Sequence, residues 1–136
     1  MKRSGNQRKK AFTLSELLLA TAILAFALCG ILLAFVTCSF LNESNRNVTR
    51  ATTHAQHVME DIKNTTFNTI KTKIDNGDWD WSGATITAEG LTPLNNEVID
   101  TTATGTDLLD VVVTVNWQDR GLRNRTISIE TLLVEP

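Results

Sequence analysis

An uncharged apolar run of 25 residues, 17–41, constrains this chain more than any other feature. As a helix rising ~1.5 Å per residue it would extend about 38 Å, enough to cross a hydrocarbon core of ~30 Å. It is apolar all round, so no single face of a small domain could cover it. Its flanks differ. Residues 1–10 hold Lys2, Arg3, Arg8, Lys9 and Lys10 and no acid, whereas Asn42-Glu43-Ser44-Asn45 follows the run, with Arg46 and Arg50 the nearest basic residues. A secretory signal has a shorter apolar region followed by a small-x-small cleavage site. The run therefore reads as a membrane span. The excess of Lys and Arg before it puts the N-terminus in the cytoplasm and the bulk of the chain outside.

Leader and run are joined by Ala11-Phe12-Thr13-Leu14-Ser15-Glu16. Glu16 is a lone carboxylate at the edge of the span. An acid is costly in lipid, and one retained there reads as functional. The order of basic leader, small residue, Phe-Thr-Leu-x-Glu and long apolar helix resembles the class III signal of type IV pilins and type II secretion pseudopilins. Ala11 stands where that family usually has Gly, and Ser15 where it usually has an aliphatic residue.

The resemblance implies that a membrane-embedded prepilin peptidase cuts between Ala11 and Phe12 and methylates the new Phe12 amine. It also implies a single-pass protein of the bacterial inner membrane whose C-terminal part is periplasmic or extracellular. Its partners would be other pilin or pseudopilin subunits, the inner-membrane assembly platform and membrane lipid. The free α-amine has a pKa of roughly 7.7–8.0 in model compounds, so it is largely cationic. Phe12 and Glu16 are i and i+4, one helical turn apart. In a bundle of such helices the acid of one subunit can instead meet the amine of its neighbour. A buried charge without a partner is strongly unfavourable, and this would fix the axial register.

Gly30 and Ala34 give the run one small-residue face for close helix approach. Major pilins usually carry Pro inside this helix, but Leu32 and Leu33 occupy the corresponding stretch, which leans towards a minor subunit. Cys29 and Cys38 are the only cysteines. They cannot pair along one helix, because nine residues span about 13 Å of rise. The residues preceding them, Leu28 and Thr37, are poor for lipidation, so both read as small buried apolar residues.

Past Leu41 the pattern becomes one-sided. Val48, Ala51, Ala55, Val58, Met59 and Ile62 step by threes and fours, predicting one helix over about 12–64. His54 and His57 are i and i+3 but lack an evident third ligand, and read as solvated or capping side chains. Asn64-Thr65-Thr66 should end the helix, with Phe67, Ile70 and Ile74 in a short second helix or packed loop.

Residues 78–89 carry oxygen donors Asp78, Asp80, Ser82 and Glu89 at calcium-loop positions 1, 3, 5 and 12, with Gly83 at 6. Thr85 sits where an aliphatic anchor is expected, Trp79 and Trp81 crowd so tight a loop, and Ala84, Ile86 and Ala88 alternate like a strand. We read an acidic turn with aromatic packing followed by an edge strand, with calcium as the alternative. No other cofactor is indicated.

Leu109, Val111, Val113, Val115 and Trp117 alternate, as do Ile127, Ile129 and Leu133, which predicts an antiparallel hairpin turning at 118–124. It resembles the C-terminal hairpin of minor pseudopilin I and of pilus-modification minor pilins. Pro93, Asn95, Asn96 and residues 101–106 read as loops.

The expected organisation is a cleaved leader at 1–11, a transmembrane or filament-core helix at 12–41, an amphipathic helix at 42–66 and a small β domain at 67–136. The fold class is α+β, a long helix on a small antiparallel sheet. Without the leader, eight basic and 15 acidic residues remain and the formal charge is −7, which gives no footprint for nucleic acid. No nucleophile–base arrangement, phosphate loop or cysteine metal cluster points to an enzyme. The expected role is structural, a minor subunit of a type II secretion pseudopilus or type IV pilus. The alternative is a static single-span binding module, with or without calcium dependence, needing neither Glu16 nor a cleavable junction.

Overall fold

The structure, a computed structural model, describes residues 13–120 and 122–134. Ala11 and Phe12 lie outside the described residues. The protein is α+β, with elements α1 (Leu14–Lys63), α2 (Phe67–Asp75), β1 (Trp81–Ser82), α3 (Gly83–Ala88), β2 (Val98–Thr104), β3 (Leu108–Asp119) and β4 (Arg123–Val134). The chain divides into two compact units, Met1–Leu41 and Asn42–Pro136. Among the described residues the first unit holds the N-terminal part of α1. That segment is long and apolar enough to cross a membrane, and none of it is buried.

In the second unit the C-terminal part of α1 packs on a four-stranded antiparallel sheet of order β1-β2-β3-β4. The predicted stripe is the contact. Ala51, Ala55, Val58, Met59 and Ile62 are buried, while Val48 at its start stays exposed. Fully burying a side chain such as Val58 or Ile62 stabilises by about 1.5–3 kcal/mol. Ile70 and Ile74 of α2 join the same core. Helix α2 ends in a Schellman motif: Gly77 N–H donates to the Ile74 carbonyl and Asp78 N–H to that of Lys73, with Gly77 at φ 77°.

β3 and β4 pair from Leu108↔Val134 to Asp119↔Arg123, so the hairpin runs closer to its tip than the sequence suggests. β3 reaches Asp119 and β4 begins at Arg123. Leu109, Val111, Val113, Val115 and Trp117 all face the core. β4 forms one edge of the sheet, and its inward residues Ile127, Ile129 and Leu133 are only half-covered.

Two segments differ from expectation. Residues 101–104 are not a loop but the second half of β2. Thr is β-branched and suits a pleated surface. Ile99, Thr101 and Ala103 face inward while Val98, Asp100, Thr102 and Thr104 face out, so a Thr-rich run conceals an ordinary alternation. The expected edge strand at 84–88 is helix α3. Alternation would have turned Ala84, Ile86 and Ala88 inward, but only Ile86 is buried. Ala favours the helix, and Gly90 stops it at φ 76°, where Leu91 N–H donates to the Ile86 carbonyl.

Candidate functional site

The junction expected to carry function begins in the described residues at Thr13. Its backbone N–H donates to Glu16 Oε2 at 2.9 Å, and its hydroxyl donates to the same oxygen at 2.9 Å. Glu16 N–H in turn approaches Thr13 Oγ1 at 3.4 Å. This is a capping box at the start of α1: the Thr side chain serves the third helical amide and the Glu side chain serves the cap residue's own amide. The acid thus has a local partner within its own chain. Thr13-x-x-Glu16 is the sequence signature of this motif, and it went unread beside the i, i+4 spacing from Phe12. After Glu16, the large apolar residues up to Leu41 are all exposed, with Phe26 at 84% and Leu33 at 70%. Cys29 and Cys38 share that exposure and are free thiols. Nothing among the described residues covers this surface.

In the second unit, the calcium-loop candidates are used separately. Trp79 and Trp81 are buried while Asp78 and Asp80 face solvent. Trp79 Nε1–H donates to Asp61 Oδ2 at 2.6 Å, tying the segment to α1. β1 pairs with only Val98 and Ile99, leaving the rest of β2 without a neighbouring strand on that side. Asp80 Oδ1 fills that vacancy by accepting the Thr101 N–H at 2.9 Å. Ser82 Oγ lies 3.3 Å from Thr85 Oγ1, and Glu89 caps the far end of α3. Along the chain α3 stands between the two Asp residues and Glu89. Among the described residues no group of three His, Cys, Asp or Glu side chains is placed to hold a metal.

His54 is not solvated. It is buried on the α1 stripe with its Nδ1 2.7 Å from Glu97 Oε1. Glu97 Oε2 accepts the Leu94 N–H at 2.6 Å, so both carboxylate oxygens are engaged. His57 is exposed and meets Trp81 edge-on, ring centroids 5.8 Å apart. The His54–Glu97 contact joins residues 43 positions apart. Glu97 shares the inward parity of Ile99 and Thr101, a signal that shows only once residues 101–104 extend β2.

The sequence reading also missed Asp119. It continues the inward parity of β3, and an inward acid demands partners. Asn47 Nδ2 donates to Asp119 Oδ1 at 2.9 Å, while Ser44 Oγ at 3.2 Å and Arg125 Nε at 3.1 Å donate to Oδ2. These bonds, Asn47's foremost, hold the Asp119 carboxyl below its ordinary value against the opposing effect of burial. The buried Trp117 indole N–H favours the ionised form too, but it makes no hydrogen bond of acceptable geometry and contributes least. Beside this cluster opens a cleft of about 380 Å³ lined by Asn47, Arg50, Asn95, Gln118, Arg120 and Leu122, among others. The chain matches no protein-family model, no curated protein and no solved structure.

Proposed function

We propose that the protein is a minor subunit of a type II secretion pseudopilus or type IV pilus, assembled through its N-terminal helix after cleavage at Ala11–Phe12. The observation that supports this most is the bare apolar surface of α1 up to Leu41, which nothing among the described residues buries. Such a surface needs lipid in one state and can use neighbouring helices in another. Glu16 marks where that surface begins. In the free chain its carboxylate caps its own helix, and in a filament the amine of a neighbouring subunit's Phe12 replaces Thr13 as its partner. The reading assigns no catalytic residue and no metal. Calcium at Asp78, Asp80, Ser82 and Glu89 would require Asp80 and Ser82 to leave their present partners.

Mass spectrometry of the protein purified from membranes of peptidase-competent cells tests this reading. An N-methyl-Phe12 terminus is the expected result, and an intact Met1 end overturns it. Two substitutions then separate the roles of Glu16. Glu16→Gln keeps a capping acceptor but removes the charge. Crosslinking to partner subunits should drop as far in Glu16→Gln as in Glu16→Ala if charge sets the register, whereas capping alone would leave Glu16→Gln unimpaired.

A further inference from the structure

We propose that the β3–β4 tip and the cleft beside it bind the phosphodiester headgroups of anionic phospholipid. Charge is segregated within the second unit. Of the eight basic residues beyond the leader, five are Arg46, Arg50, Arg120, Arg123 and Arg125, and the others are Lys63, Lys71 and Lys73. All five arginines belong to one end of the unit. Ser44 and Asn47 bond Asp119, and Glu43 meets Arg120 at 3.4 Å, so the start of this part of α1 lies against the hairpin tip. Lys63 is a further 20 residues along the helix from Glu43, about 30 Å at ~1.5 Å per residue. Among the described residues Arg120 and Arg125 have acidic partners, while Arg46, Arg50 and Arg123 form no ion pair. The arginine end therefore keeps positive charge on an otherwise acidic chain.

A second observation gives that charge its ligand. Leu122 stands 77% exposed at the tip between Arg120 and Arg123. Its backbone is left-handed, φ 59°, a conformation that opposes a leucine and suits glycine. An apolar side chain held out at a strained position and flanked by guanidinium groups has the chemistry of an interfacial anchor: the apolar group enters the headgroup layer and the cations pair with phosphate. The cleft adds the guanidinium groups of Arg50 and Arg120 together with the amides of Asn47, Asn95 and Gln118. Arginine binds phosphate in a fork that lysine cannot reproduce.

The source of the phosphate follows from chain connectivity. Glu43 is the second residue past Leu41, the last of the apolar run, so wherever that run spans a bilayer the cluster is tethered within reach of its surface. The proposal rests on the run spanning a membrane and not on filament assembly, so N-terminal mass analysis and the following test fail independently.

The test uses the full chain carrying Cys29→Ser, Cys38→Ser and Leu122→Cys, labelled with an environment-sensitive fluorophore and reconstituted in nanodiscs. In discs of phosphatidylcholine mixed with phosphatidylglycerol the label should shift to the blue and be quenched by headgroup-depth lipid quenchers. In phosphatidylcholine alone it should report water, as should a control label at Asp107→Cys in either lipid. Added salt should weaken the effect, since charges are screened over about 8 Å at physiological ionic strength. Combined Arg50→Gln, Arg120→Gln and Arg123→Gln should abolish the shift, and the corresponding Lys variants should restore part of it. If the Gln variant does not fold, the salt titration of the parent protein decides. Inorganic phosphate producing the same shift in phosphatidylcholine discs would make this a free-anion site and overturn the lipid assignment. A shift independent of anionic lipid and of the arginines, or one that grows with protein density in phosphatidylcholine, would overturn headgroup binding in favour of plain apolar contact or a second copy.

Discussion

Residues 14–41 and 48–62 belong to one continuous helix yet meet opposite surroundings. In the first stretch every large apolar side chain is exposed, and in the second the apolar stripe from Ala51 to Ile62 is buried in the core that α2 and the sheet share. The sequence difference behind this is simple. The first stretch is apolar around its whole circumference, whereas the second is apolar only along one side. A one-sided helix can be satisfied by a small sheet, but a helix apolar all round cannot. The second stretch is therefore stabilised by its own chain, and the first by whatever surrounds it. Substitutions in the two stretches should fail in different assays.

The sharpest contrast is Ile62→Ala against Ile23→Ala. Ile62 is fully buried, and its truncation should destabilise the C-terminal unit by about 2–5 kcal/mol. Ile23 is exposed in the chain, and its truncation should leave that unfolding transition unchanged. Denaturant titration in detergent, followed by tryptophan fluorescence, reads both, because Trp79, Trp81 and Trp117 all lie in the core. Equal losses would show that the two stretches unfold as one body and would dissolve the comparison.

Glu97→Ala should have the next largest effect. It leaves the Leu94 N–H and the His54 ring buried without their acceptor, and an unsatisfied buried group costs about 1–3 kcal/mol. Glu97→Gln retains one amide oxygen and should lose less. The second stretch of α1 would then be shown to depend on a polar clamp as well as on its stripe. Identical melting curves for wild type and Glu97→Ala would remove that dependence.

These two contacts also mark where sequence reasoning reached its limit. Periodicity along one element was readable: the stripe from Ala51 to Ile62, the helix around Ile70 and Ile74, and the alternation of Leu109 to Trp117 all stand as expected. What was not readable depended on a distant partner. Thr101 and Thr104 look like loop residues until β3 pairs with them. Ala84 and Ala88 look like strand residues until Gly90 closes a helical turn around Ile86. His54 looks solvated until Glu97 arrives from across the core. At the junction the limit was different. The capping box is local and legible as Thr13-x-x-Glu16, whereas the partner that the i, i+4 spacing offers Glu16, Phe12, lies outside the described residues.

Acid should separate the regions again. The folded state holds the Asp119 carboxyl below its ordinary value through Asn47, Arg125 and Ser44. Between the folded and unfolded values the unfolded chain binds the extra proton, so stability rises with pH there. The Asp119 contribution is present above the unfolded value, near pH 3.9, and is lost as pH falls through the lower folded one. Asp119→Asn should lower stability at neutral pH and flatten this acid limb. An unchanged limb in Asp119→Asn would assign the acid sensitivity to other carboxylates.

Leu122→Gly should have the smallest effect on folding, with the opposite sign. A non-glycine residue in the left-handed region is strained by roughly 1–2 kcal/mol, and glycine removes that strain at the cost of a more flexible unfolded chain, so a net gain of about 0.5 kcal/mol is expected. Chemical denaturation of the two proteins side by side measures it. The comparison sharpens if the stabilised variant also loses contact with anionic nanodiscs. A side chain whose removal helps the fold but harms lipid contact is kept for what lies outside the chain, as residues 14–41 are. If Leu122→Gly instead destabilises the unit, Leu122 belongs with the covered stripe, and the tip is part of the core's support.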